Sequence, residues 1–231
     1  RLQTTFSLEA WVKPSSFPAN GVVACKADGG LKLGFGLFSI DESMAKKAVD
    51  AQHVEKLPNM SWWVSGCPAR CMIAMEPDEW SHLAGTWDGA NMHLYHNGVL
   101  ADSVPYQGPT AEEEMAALHT KGDFFVGAIP GRFAWDGIID EVALYQAAID
   151  QAFVRKTMNA AVRSEGARDE VLIGHWSFNE GAGEHASDAS SNKNHGSLEG
   201  GVQRVLSTRE FMTPAMSASE KHVDAAFMEL R

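Results

Sequence analysis

From Phe6 to Lys13 the chain alternates without a break: Phe6, Leu8, Ala10 and Val12 share one face, and Pro14 ends the run. A side-chain period of two belongs to a strand with one buried side. Comparable runs lie at 21–26 and 31–39, parted by Asp28-Gly29-Gly30, and at 61–65 and 72–75, flanking Cys67-Pro68-Ala69-Arg70-Cys71. Residues 41–58 lack alternation and read as an inserted loop with one or two helical turns. The stretch 80–87 predicts a strand, Asp88-Gly89 a turn, 92–96 a strand, and Asn97-Gly98 a type I′ hairpin into 99–104. A short helix is expected at 112–118, and strands at 123–128 and 137–145. Asp150 then caps a short helix running to about residue 161. Eight or more short strands joined by Gly, Asn and Asp turns, with little helix, predict an antiparallel two-sheet sandwich. Its expected core holds Phe6, Leu8, Ala10, Leu94, Leu144 and either Ile139 or Val142.

The pattern divides the chain of 231 residues into a sandwich over 1–162, a polar linker over 163–171, a strand-bearing segment over 172–206 and a tail over 207–231. In the third part Leu172, Gly174, Trp176 and Phe178 lie on one strand face. In the tail Val223, Phe227 and Leu230 have helical spacing. The third part either closes the first sandwich or opens a second one. Trp80 and Trp87 are an odd number of positions apart, and Trp62 and Trp63 are adjacent, so one of each pair belongs to the core.

Composition narrows the partners. A net charge of −11 opposes nucleic acid, whose phosphates need a basic surface. No apolar run approaches the roughly 20 residues of a transmembrane helix, so membrane insertion is not expected. Cys67 and Cys71 either bridge a hairpin tip or stay reduced, and Cys25 is left without a mate.

Candidate chemistry is sparse. A glycosidase needs two carboxylates about 5–10 Å apart. Asp140 and Glu141 are adjacent and should face opposite ways, while Asp136 and Asp140 stand roughly 13 Å apart on an extended strand. The histidines lie on strands without a Gly-x-Ser-x-Gly elbow, and Arg70 beside two thiols is a weak sign of an activated cysteine. No catalytic residue is expected. Asp188, Ser190, Asn192, Asn194 and Glu199 imitate EF-hand spacing, but Lys193 stands where glycine is needed and no helix precedes Asp188. Trp62, Trp63, Phe133 and Trp135 flank turns, and are the candidates for a ring face exposed to a sugar.

Four segments carry a family resemblance in order and spacing: Phe6-Ser-Leu-Glu-Ala-Trp-Val-Lys-Pro14, Asp78-Glu-Trp-Ser-His-Leu-Ala-Gly-Thr-Trp-Asp-Gly89, Leu94-Tyr-His-Asn-Gly98 and Asp136-Gly-Ile-Ile-Asp-Glu-Val-Ala-Leu-Tyr145. They resemble LamG-like domains of the concanavalin A-like lectin/glucanase jelly rolls, alongside pentraxins. The resemblance covers 6–160, and 172–201 resembles the family's first strand and following loop. It implies a jelly roll with a short C-terminal helix after the last strand, a first strand missing ahead of Arg1, and an insertion at 41–58. It also implies a structural calcium near the opening segment and final strand, with Asp140, Glu180 and Asp188 as its carried-over ligands. The function implied is a non-catalytic carbohydrate-binding or adhesion module outside cells, joined to other domains of the same parent chain. The scarcity of cysteine leaves a protein-docking module of an intracellular assembly as the alternative, and a glycoside-active domain as a third.

Overall fold

The computed structural model describes residues 5–27, 33–48, 55–108, 122–158, 171–206 and 226–230. The expected helix at 112–118 and most of the linker lie outside them. Strands β1 (Phe6–Pro14), β2 (Val22–Ala27) and β3 (Leu33–Ser39) lead to helix α1 (Glu42–Ala48), which supplies the helical turns of the insertion. Then come β4 (Met60–Val64), β5 (Cys71–Ile73), β6 (Ser81–Trp87), β7 (Asn91–His96), β8 (Val99–Pro105), β9 (Asp123–Val126), β10 (Gly137–Tyr145) and helix α2 (Gln151–Thr157). The C-terminal part adds β11 (Leu172–Trp176), β12 (His185–Ala186), β13 (Gly196–Ser197), β14 (Gln203–Leu206) and β15 (Ala226–Leu230).

Two antiparallel sheets enclose one main core. The larger runs β14-β15-β10-β1-β6-β7-β8, with β11 also paired to β10, and the smaller runs β5-β4-β3-β2-β9. Alternation explains the assembly: Phe6, Leu8, Ala10 and Val12 of β1 meet Phe35, Leu37, Trp62 and Val64 of the smaller sheet across the core. Leu94 and Leu144 are buried there too, as are both Ile139 and Val142. That the last two share a face at a spacing of three is explained by a β-bulge. Opposite β1, Asp140 pairs with Trp11 and Ala143 with Glu9, so Ala10 faces the extra residue of β10. Glu141, at φ 51, takes the strained turn.

The alternation of β1 predicts one buried side, yet Ser7, Glu9 and Trp11 on its other face are buried as well. Helix α2 and its approach cover them. Ser7 Oγ donates to Ala147 O and accepts Ile149 N–H, Thr157 Oγ1 and Tyr145 Oη donate to the two Glu9 oxygens, and Trp11 Nε1 donates to Met158 O. Asp150 caps the helix as its sequence predicts, accepting Phe153 N–H at 2.8 Å. At the hairpin between β7 and β8, Asn97 and Gly98 both have positive φ, the requirement of a type I′ turn.

One expectation is corrected. The helical spacing read in the tail does not hold over Ala226–Leu230, which is a strand between β10 and β14. A short apolar run fits either period, and backbone groups along an open strand edge settle it in favour of pairing. The outer edge of β10 is thus shared: β15 takes Gly137–Ile139, the bulge intervenes, and β11 takes Val142–Tyr145.

Candidate functional site: an aromatic face on the smaller sheet

In β4, Trp62 pairs with Leu37 and Trp63 with Gly36. The first pairing turns Trp62 into the core, where it is fully buried and its Nε1 donates to Thr86 O. The second turns Trp63 outward, with Nε1 held by Cys67 O at 2.8 Å and the ring partly exposed. From Trp63 the register continues across the sheet through Gly36 and Cys25 to Phe125 of β9. Three strand spacings put Trp63 and Phe125 roughly 14 Å apart. Phe133, on the loop before β10, joins from the side with Arg132 6.0 Å over its ring. Trp63, Phe125, Phe133 and Leu33 all pack, half-buried, on one buried cluster of Val22, Cys25, Ala27, Phe38 and Ile129. A glycine at 36 lets the tip of the Phe38 ring occupy the floor, since a Cβ there would meet it at 2.6 Å.

Of the four aromatic candidates, the structure brings Trp63 and Phe133 together and removes Trp62 and Trp135. Trp135 is 1% exposed. Its backbone N–H donates to Gly127 O, and its ring packs in the main core. A fully buried ring has no face to offer a sugar. Phe125 went unnoticed in the sequence, although Phe124 faces the core and period two sends its neighbour out.

The three carboxylates proposed for calcium are engaged otherwise. Asp188 Oδ1 accepts N–H groups of His175 and Ser190, and Oδ2 accepts Ser190 Oγ–H and Asn194 N–H, all at 2.7–2.8 Å. Four donors fill the acceptor sites of one carboxylate, so none is left for a cation. Burial alone would raise the Asp188 carboxyl; these hydrogen bonds outweigh it and hold the group below the usual carboxylate range. Glu180 pairs with Arg204 at 2.8 Å and accepts Ser187 N–H. Against a burial effect of opposite sign, those contacts lower its value too. Asp140 Oδ1 accepts the Glu141 N–H. Among the described residues no three His, Cys, Asp or Glu side chains converge as metal donors. This donor set does not fit a calcium ion.

The expectation that Asp140 and Glu141 face opposite ways fails at the bulge, where both leave the core face. Both are nonetheless buried, at 4% and 5% exposure. Glu141 Oε2 lies 2.6 Å from His175 Nε2, a buried pair the sequence did not suggest. The cysteines are free and buried. Burial pushes the Cys25 thiol up to about 12, and burial with the nearby Asp102 charge does the same for Cys71. At neutral pH these thiols are protonated, so Arg70 does not activate Cys71 as a nucleophile.

The two facing antiparallel sheets define a jelly-roll sandwich. The chain belongs to the concanavalin A-like lectin/glucanases superfamily, whose family model matches residues 1–155. Among solved structures it is similar to a protein of Bacteroides ovatus provisionally described as carbohydrate-binding, at TM-score 0.56 and 15% identity over 85% of this chain. This chain spans 54% of that protein's length. It is also similar to a native heptameric SAP-like pentraxin of Limulus polyphemus (TM-score 0.47, 15% identity, 71% of this chain and 72% of that one). Domain 4 of a GH43 extracellular arabinanase of Geobacillus stearothermophilus, solved with arabinotriose, matches at TM-score 0.45 and 18% identity, over 66% of this chain and 65% of that one. No curated protein matches. At such identities the first likeness concerns the fold.

Proposed function

We propose that this chain is a non-catalytic carbohydrate-binding module whose ligand lies across the outer face of the smaller sheet. One observation carries the reading: three half-exposed rings from separate elements, Trp63, Phe125 and Phe133, pack on one apolar floor. Aromatic faces take up the C–H surface of a sugar, and their edges and neighbours supply polar contacts. The span between Trp63 and Phe125 suits an oligosaccharide rather than a single sugar, and Arg132 is the polar group at the Phe133 end. The resemblance of the fold to a protein described as carbohydrate-binding supports the same class. The buried state of Asp140 and Glu141 supports a binding role over hydrolysis, because neither is presented to a substrate.

The test is titration of an oligosaccharide panel against the chain, followed by the best ligand against Trp63→Ala and Phe133→Ala. Each substitution should weaken binding about tenfold, equivalent to about 1.4 kcal/mol, and the ligand should be recovered uncleaved. Undiminished affinity in both variants would place the ligand elsewhere.

A further inference from the structure

Strand β11 has two edges, and they are treated differently. On one, Leu172, Gly174, His175 and Trp176 pair with β10. The other is closed by the loop that follows within the same segment. Asn192 Nδ2 donates to the carbonyls of Leu172 and Ile173, Asn194 Nδ2 donates to Ile173 O, and Asp188 Oδ1 accepts the His175 N–H. Trp176 Nε1 donates to Asn194 O. Further along, Arg204 ties Phe178 O, Glu180 and His185 O together, and β12 pairs with β13. The segment therefore holds its own strand extended, with one edge satisfied internally and one left for a partner.

The surface that receives it is equally defined. Trp176, opposite Val142, enters the main core and stacks on Phe124 with centroids 5.2 Å apart and planes at 19°. Its ring lies over Gly174, where a Cβ would approach within 2.4 Å. On the other face of the same strand His175 meets the buried Glu141. Gln146 N–H donates to Val171 O and closes the end of the pairing.

We propose that residues 171–206 form a strand-donating docking module, that its receptor is the outer edge of β10 with Phe124, and that it engages a second copy of this chain as well as its own sandwich. A strand with one internally closed edge donates its pairing without propagating it, so the exchange closes instead of growing into a ribbon. Every contact made within a chain is available unchanged between two chains. The choice is then set by tethering: a short connection amounts to an effective concentration of the order of millimolar. Exchange becomes comparable with self-closure only when chains refold at similar concentrations. The proposal does not rest on the carbohydrate reading, since its contacts, β11 on β10 and Trp176 on Phe124, lie at the sheet edge and in the core and not on the outer aromatic face.

The experiment uses the full chain. Unlabelled and ¹⁵N-labelled protein are unfolded together and refolded at roughly micromolar and roughly millimolar concentrations. Native mass spectrometry then reads mixed-isotope dimers. They should be scarce at the low concentration and abundant at the high one. Location is read by mixing one chain carrying only Ala143→Cys with another carrying only His175→Cys, residues that face each other in the register, under mild oxidation. A 143–175 link between different chains supports the exchange. Absence of mixed dimers at millimolar concentration overturns it, and so do mixed dimers that lack the link although both variants fold. Should a variant fail to fold, the isotope result on the unaltered chain decides.

Discussion

Neighbouring residues with like chemistry have opposite fates here. Trp62 is core and Trp63 surface; Phe124 stacks on Trp176 and Phe125 faces out. Period two assigns such pairs to opposite sides, and register against Leu37 and Gly36 decides which tryptophan enters. The buried one constrains its neighbours tightly. A Cβ at Gly85 would come within 2.2 Å of the Trp62 ring, whose Nε1 is pinned to Thr86 O. We expect Gly85→Ala to destabilise the fold by about 1–3 kcal/mol through overpacking, read as a lower denaturation midpoint with unchanged slope. An unchanged midpoint would mean that the ring has room to move. The split between paired tryptophans was legible in the sequence; which member goes in was not, because it depends on a partner strand remote in the chain. The shared side of Asp140 and Glu141 was also hidden. Alternation presumes a continuous strand, and a bulge leaves no mark in two acidic residues.

Among elements, most strands and the capped helix α2 were readable because each carries a local signal: alternation, Asn97-Gly98, or Asp150 before a helical run. β15 was not, as five mostly apolar residues have no period of their own and take their form from the edge of β10. The 188–194 loop shows a related limit, since a spacing that suggests cation ligands serves to collect N–H groups. This loop makes a pH prediction. Asp188 has a folded-state value below its unfolded one of about 3.9. Its stabilisation is therefore present above about pH 4 and is lost as the pH falls through the depressed folded value. Glu180, lowered likewise, adds to the same trend. Thermal melts should show the unaltered chain losing stability on acidification in that range. Asp188→Asn should begin lower at neutral pH and lose less. A chelator should leave both melts where they are; a shift confined to the unaltered chain would restore the cation reading.

In the whole molecule the proposed sugar face and the docking edge meet in a single strand. β9 places Phe124 beneath Trp176 and Phe125 in the outer aromatic row, one residue apart and on opposite sides of the smaller sheet. Among the described residues it is also the edge strand of that sheet, paired to β2. Four residues at an edge are held weakly by their ladder alone, so the stack of Phe124 on Trp176 contributes to fixing where Phe125 stands. Removing the stack should therefore be felt on the far face. Trp176→Ala is expected to cost about 3–5 kcal/mol of stability by leaving a cavity. In protein that remains folded it should weaken oligosaccharide binding by about 0.5–2 kcal/mol, although residue 176 never touches the ligand. Phe125→Ala should do the reverse, losing affinity while the melting temperature changes little. Calorimetry and titration on both variants, at a temperature where each is native, separate the two effects. If Trp176→Ala binds as tightly as the unaltered chain, β9 does not transmit the docking of β11, and the two surfaces act independently.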